Sequence, residues 1–121
     1  MSFYQELILD HYKYPRNKGK LVKSTGSVLV HNPLCGDKIE MGIKIVGDKV
    51  IDVKFEGDGC AISQASASIL TEYIKGKNKK ELIKLDKNFI IKLLGVEVGP
   101  NRLKCALLSL EALRKILNSK L

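Results

Sequence analysis

The sequence lacks an apolar run of the roughly 18–20 residues that span a bilayer, which excludes a transmembrane protein. Proline is scarce, with 3 residues, and glycine numbers only 10, which excludes a low-complexity or collagen-like chain. The first residues include acidic and polar side chains and lack the basic-then-apolar pattern of a secretory signal. We therefore expect a cytoplasmic protein that does not associate with a membrane.

Aromatic residues are also few, at 6% of the chain. The net charge of +8 would permit nucleic-acid binding, but nucleic-acid sites usually rely on arginine and on interleaved aromatic residues. Most basic residues here are lysines, and they are scattered along the chain without a long basic block. We expect no nucleic-acid partner.

Common enzyme signatures are missing as well. The sequence has no G-x-x-x-x-G-K phosphate loop, no G-x-S-x-G and no H-E-x-x-H. We interpret the two histidines, His11 and His31, as a helix-face residue and a loop residue. The three cysteines are an odd number, so they cannot all belong to a closed disulfide framework. They are either buried thiols that act as small hydrophobic residues or groups that carry chemistry.

The hydrophobic periodicity predicts a helix, then strands, then helices, within one domain over residues 1–121. The predicted helices cover residues 3–13, 61–75, 79–85, 87–94 and 100 almost to the end, and the strands cover 27–30, 39–46 and 51–56. In the last two strands apolar residues alternate with polar ones, with Ile51, Val53 and Phe55 predicted to point inward. This pattern indicates an antiparallel hairpin with one solvated face. The fold class is therefore α+β, with helices on one face of a small sheet.

The first cysteine, Cys35, lies in a turn that leads into the second strand. If the period of that strand extends backward, Cys35 and Asp37 share the apolar face with Ile39. The thiolate and the carboxylate would then point the same way. Gly36, between them, would let another backbone segment approach closely.

The other two cysteines lie where their surroundings favour the thiolate. Cys60 directly precedes a helix, where the positive partial charge of the helix N-terminus stabilises an anion. Cys105 lies in the second turn of the last helix, next to Lys104 and near Arg102. Three thiolates and the Asp37 carboxylate would complete a tetrahedral metal site. The wide spacing of the cysteines leaves the simpler alternative of buried thiols open.

Four segments of the sequence resemble the U-type iron–sulfur cluster assembly scaffold family, which comprises IscU, SufU and the N-terminal domain of NifU. They are the opening over residues 4–19, N-P-L-C-G-D at 32–37, F-E-G-D-G-C-A-I-S-Q-A-S-A-S at 55–68, and R-L-K-C-A-L-L at 102–108. The resemblance covers nearly the whole chain.

The resemblance implies a three-stranded antiparallel sheet with an N-terminal helix and a long C-terminal helix. It implies a site formed by Cys35, Asp37, Cys60 and Cys105 that binds iron or a [2Fe–2S] cluster. A cysteine desulfurase would pass sulfur as a persulfide to Cys35 or Cys105, iron and electrons would arrive, and the cluster would leave for apo-proteins or carrier proteins. Such a protein is a scaffold more than an enzyme.

The sequence departs from both main branches of this family. IscU chains usually have histidine where this chain has Lys104, and SufU chains usually carry an insertion between the second and third cysteines that this chain lacks. A second hypothesis is therefore a zinc-dependent sulfur acceptor that relays sulfur from the desulfurase. A third, a structural zinc domain, is less favoured because structural zinc sites are mostly Cys and His, and Asp37 is an unusual ligand there. We assign Lys104, with Arg102 nearby, an electrostatic role outside the ligand set, because a protonated lysine has no lone pair to donate.

Overall fold

The computed structural model describes residues 3–33, 36–95 and 99–118. Its elements are α1 (Phe3–Lys13), β1 (Gly26–Asn32), β2 (Asp37–Val46), β3 (Lys49–Asp58), α2 (Ala61–Ile74), α3 (Lys79–Ile83), α4 (Lys87–Leu94) and α5 (Pro100–Asn118). The predicted α+β class and the order of its elements are confirmed, and the element bounds differ by a few residues. None of the helices within the described ranges has the length and apolarity that a membrane crossing requires.

The sheet has the order β1-β2-β3, and both strand pairs are antiparallel. Alternation along β2 separates its two faces, because Ile39, Met41 and Ile43 are completely buried whereas Lys38 and Lys44 are exposed. Helices α2 and α5 pack against the strands. The prediction of a half-buried sheet with helices on one face is therefore confirmed.

One inward-facing residue of the hairpin was predicted wrongly. The register shifts between Lys44 and Ile45, so that Lys44 pairs with Asp52 but Ile45 pairs with Val50. This bulge reverses the alternation at the start of β3. As a result Val50 is buried and Ile51 is 43% exposed, although the simple period of two places Ile51 inside.

The outer edge of β3 is covered by two other segments of the chain. Phe55 exchanges backbone hydrogen bonds with the segment 17–19, with N···O distances of 2.8 and 2.9 Å. Val50 does the same with residues 76–77, at 2.8 and 3.0 Å. An unpaired edge strand can pair with a strand of another chain, and these two segments prevent such pairing on the β3 side of the sheet.

Helix α1 is held against α2 by a buried polar contact. His11 is 4% exposed, and its Nδ1 lies 2.7 Å from Ser68 Oγ. The same hydroxyl oxygen accepts a hydrogen bond from the Arg16 backbone N–H at 2.8 Å. The opening segment of the chain is thus tied to α2, the helix that begins just after Cys60.

We predict that this contact makes the stability depend on pH. Burial, and secondarily the Arg16 charge, lower the pKa of His11, while Glu72 and Asp10 act in the opposite direction. The unfolded chain therefore binds more protons than the folded one just below the ordinary histidine pKa of about 6.5, so the free energy of unfolding should decrease as pH falls through that range. Denaturant titrations between pH 5 and 8 test this, and the slope should flatten in His11→Gln. An equal slope in both proteins would contradict the assignment.

Candidate metal centre

Three of the four predicted site residues have positions in the structure, and all three meet at one end of the sheet. A carboxylate oxygen of Asp37 and the Sγ atoms of Cys60 and Cys105 all lie within 4.8 Å of one another. They come from the start of β2, the junction of β3 with α2, and the second turn of α5. Cys35, the fourth, lies outside the described residues.

The turn before β2 differs from the prediction in two ways. The strand begins at Asp37 and does not extend back, because Gly36 has a φ of 70° and its N–H donates to the carbonyl oxygen of Asn32 at 2.9 Å. The expected close approach of another backbone segment at Gly36 is not found among the described residues. No atom of the described residues lies within 4 Å of where its Cβ would be. Glycine is needed here for its positive φ.

Asp37 is a buried carboxylate at 1% exposure. Its Oδ1 accepts a hydrogen bond from the Cys60 N–H at 2.9 Å, and its Oδ2 lies 4.0 Å from Cys60 Sγ. Within the described residues, no lysine or arginine forms an ion pair with it. A buried charge is costly unless a cation or hydrogen bonds compensate it. The carboxylate is therefore well suited to face a bound metal cation.

Gly59 lets the Asp37 carboxylate lie directly against the start of α2. Its φ is 151°, and a Cβ at this position would lie 2.2 Å from Asp37 Oδ1 and 2.7 Å from Ser63 Oγ. Ser63 is itself completely buried and donates a hydrogen bond to the Cys60 carbonyl oxygen at 3.1 Å. Sequence reasoning did not identify Ser63, although a serine in the first turn after G-D-G-C was the signal available.

The two cysteines differ in access. Cys60 is exposed at the N-cap of α2, whereas Cys105 is 3% exposed. Asn32, at the end of β1, places its Nδ2 4.0 Å from Cys105 Sγ. Sequence reasoning treated Asn32 only as part of the motif before Pro33. An amide N–H directed at sulfur stabilises its thiolate form.

The structure describes both basic residues that were predicted to support the site. Lys104 and Arg102 are both exposed. Neither forms an ion pair within the part of the chain that the structure describes. Their electrostatic role stays a prediction.

The donor atoms suit a soft or borderline metal. Two sulfurs and one carboxylate oxygen are a set that zinc and iron accept, and three protein ligands leave a coordination position for another group. The two sulfurs come from a helix N-cap and from a helix interior, so rigid elements position both. The buried carboxylate and this donor set together indicate that the residues present fit such a metal.

Comparison with known proteins agrees with this geometry. The family model described as the NifU-like N terminal domain matches residues 3–119. Among curated proteins, the chain is 44% identical over 131 residues to the zinc-dependent sulfurtransferase SufU of Bacillus subtilis, covering 94% of this chain and 88% of that protein. It is 35% identical over 112 residues to the iron-sulfur cluster assembly scaffold protein IscU 1 of Archaeoglobus fulgidus, covering 93% of this chain and 72% of that one.

A solved structure has the same fold. It is the putative iron-sulfur cluster assembly scaffold protein for the SUF system from Fervidobacterium islandicum, with a TM-score of 0.81 and 36% identity, covering 93% of this chain and 95% of that one. The alignment with the Bacillus subtilis relative runs over 131 positions, more than the 121 residues of this chain, so that relative carries additional residues between matched ones. This agrees with the predicted lack of a SufU-type insertion.

Proposed function

Because the chain belongs to the NifU-like N-terminal domain family, we propose that it is a scaffold on which iron–sulfur clusters are assembled and from which they are released. The observation that carries this proposal is the convergence of Asp37, Cys60 and Cys105 within 4.8 Å at one end of the sheet. Cys35 is the proposed fourth ligand, since it lies two residues before Asp37 in the same motif.

Sulfur arrives in this proposal as a persulfide on a cysteine desulfurase. A thiolate of the chain attacks the terminal sulfur, the sulfur–sulfur bond breaks, and the desulfurase thiolate leaves. We assign this step first to Cys35, with Cys105 as the alternative. The 3% exposure of Cys105 supports that order, because a buried sulfur is hard for another protein to reach.

The cargo, iron or a [2Fe–2S] cluster, is held by Cys35, Asp37, Cys60 and Cys105 and passes to apo-proteins or carrier proteins. A carboxylate oxygen is a harder donor than a thiolate and binds soft metals more weakly. Asp37 therefore gives the site a ligand that can be displaced when the cargo leaves. Thiolate chemistry of this kind requires a reducing compartment, which supports the cytoplasm as the proposed location.

A second function is a zinc-dependent sulfur acceptor for the same desulfurase. It is favoured by the 44% identity to a relative that carries that name. A bound zinc ion would keep its cysteine ligands deprotonated and therefore nucleophilic. In this case Asp37 and the cysteines would hold the zinc ion, and one of these cysteines would accept the sulfur.

Anaerobic purification followed by metal and sulfide analysis separates the two functions. Iron together with acid-labile sulfide supports the scaffold, and zinc that survives mild chelation supports the relay. The same preparation of Cys60→Ser is the control, because loss of one ligand should reduce either cargo. A protein that binds neither iron nor zinc after reconstitution would overturn both functions.

The first sulfur acceptor can be identified directly. We predict that, after reaction with the desulfurase and cysteine, mass spectrometry locates the persulfide on Cys35. The Cys35→Ser variant should then lose most of the label, whereas Cys105→Ser should keep it. Label that persists in Cys35→Ser would assign the step to Cys105.

Lys104 is predicted to offset negative charge at the site. Three thiolates and a carboxylate carry four negative charges, of which a divalent metal cancels two. Lys104→Ala should therefore lower metal retention or the sulfur-transfer rate by a few-fold, because an exposed charge acts through solvent. Lys104→Arg should restore much of the loss. If Lys104→Ala equals the wild type in both measurements, Lys104 is only a surface residue.

A further inference from the structure

Among the described residues, the backbone hydrogen-bonding groups on the outer edge of β1 have no partner from another segment. The backbone N–H and C=O of Phe55 point away from β2, because they bond to the segment 17–19. Met41 pairs with Phe55, so its own N–H and C=O point the other way, toward its β1 partner Val28. The backbone N–H and C=O groups of successive residues in a strand point alternately to its two sides. The β1 residues that point away from the sheet are therefore Ser27, Leu29 and His31. Within the described part of the chain, no backbone hydrogen bond reaches residues 27–31 from outside the sheet.

A groove lies beside the end of β1. It has a volume of about 440 Å³ and is lined on one side by His31, Asn32 and Pro33 and on the other by Lys104, Leu107, Leu108 and Glu111 of α5. His31 also lines a hollow on the open face of the sheet, whereas α5 packs on the covered face. The groove therefore lies between the end of β1 and α5. We call it the β1–α5 groove.

One end of the β1–α5 groove adjoins the metal centre. Lys104 precedes Cys105 in α5, and Asn32 places its Nδ2 4.0 Å from Cys105 Sγ. Glu111 lies about two turns farther along α5, away from the centre. A chain that lies in the groove would therefore end beside the metal centre.

We propose that the outer edge of β1, together with the β1–α5 groove at its end, binds the cysteine-bearing segment of an apo-acceptor protein as an added β-strand, with its cysteine at the metal centre. This proposal rests on the proposed function and adds to it how the acceptor is recognised. The partner hydrogen-bonds to Ser27, Leu29 and His31, and its side chains contact Leu107.

The chemistry of such a segment fits the groove. A metal-binding segment without its metal is unfolded, so it is available as an extended chain. Strand addition recognises the main chain, which all sequences share, so one groove can receive acceptors of different sequence. Strand β1 itself has no Lys, Arg, Asp or Glu and no Pro, the residues that commonly protect an edge strand from pairing.

Amide exchange on the zinc-loaded protein tests the binding. The probe is a synthetic ten-residue peptide with two cysteines near one end and alternating valine and threonine elsewhere. Its control is the same peptide with N-methyl groups on the amides that would face β1. At saturation we expect the amides of Ser27, Leu29 and His31 to exchange about tenfold more slowly. Each N-methyl group should weaken binding about fivefold, as one net hydrogen bond requires. Equal binding of both peptides, or no protection, would overturn the proposal.

Two variants test whether the β1 edge takes part in the transfer of a cluster or of sulfur to an apo-ferredoxin. Leu29→Pro removes one outward N–H without touching the bonds to β2, and Leu29→Thr removes the same 49%-exposed side chain but keeps the N–H. We expect Leu29→Pro alone to slow transfer about fivefold or more, with equal cargo loading in both variants. If even the wild type fails to load its cargo, the result overturns the proposed function instead of this proposal. A wild-type dimer that Leu29→Pro abolishes would assign the edge to a second copy and overturn the proposal.

Discussion

Gly59→Ala should weaken zinc or ferrous binding by about 10–100-fold, the usual cost of disturbing the groups that orient metal ligands. The new methyl group would lie 2.2 Å from Asp37 Oδ1 and 2.8 Å from Asp37 Cγ, far inside van der Waals contact. The carboxylate must therefore move and lose its hydrogen bond from the Cys60 N–H. Competition against a chromogenic chelator measures the affinity.

The matched control for this variant is Gly76→Ala. Gly76 also has a positive φ, of 87°, but no atom of the described residues lies within 4 Å of its Cβ position. Both variants therefore replace a glycine that has a positive φ, whereas only Gly59→Ala displaces the ligand. If the two variants bind metal equally well, the contact between Gly59 and Asp37 does not position the carboxylate.

The fold could be predicted because its signals are local. Alternation over residues 39–46 and the change to helical period after Cys60 each depend only on neighbours in the sequence. The bulge could not be predicted in this way. It depends on how Lys44 and Ile45 pair with β3, so a strict period of two places Ile51 inside, where the structure has Val50.

The convergence of Asp37, Cys60 and Cys105 could be expected from the motifs that contain them, whereas contacts that span the chain could not. Asp37, Cys60 and Cys105 come from recognisable segments and do converge. The neighbours that hold them were missed, because Asn32 reaches Cys105 across 73 positions of sequence and no local pattern reports such a contact. The backbone N–H of Cys60 likewise finds Asp37 across 23 positions.

Gly36 and Gly59 show that a sequence motif does not reveal why it contains a glycine. Sequence reasoning predicted a close approach of another backbone segment at Gly36 and treated Gly59 only as part of the motif before Cys60, although glycine also permits an unusual backbone. The structure separates the two reasons, since Gly36 needs only its φ of 70° whereas Gly59 needs both its φ of 151° and the space that Asp37 occupies. Only the tertiary contacts distinguish these cases.

Asp37→Ala should slow the transfer of a cluster to an apo-acceptor by about tenfold or more, which corresponds to about 1.4 kcal/mol in the barrier. The resemblance to scaffold proteins implies this direction, and the donor set gives its physical reason. With Asp37 present, an incoming cysteine displaces a carboxylate oxygen, the weakest donor for a soft metal. Without it, the incoming cysteine must displace a thiolate. The loss of cluster absorption under anaerobic conditions, with apo-ferredoxin in excess, measures the rate.

The control for Asp37→Ala is Asp52→Ala, which removes the same charge from β3. Asp52 interacts with Lys75 at 3.3 Å, so its loss changes the surface charge without touching the metal centre. Asp52→Ala should transfer its cluster at the wild-type rate. Unchanged transfer in Asp37→Ala would mean that the carboxylate is not the displaced ligand. Faster transfer would mean that Asp37 helps to retain the cargo, because a site that loses a ligand releases its metal sooner. The buried carboxylate would then stabilise the bound state instead of serving as the displaced ligand.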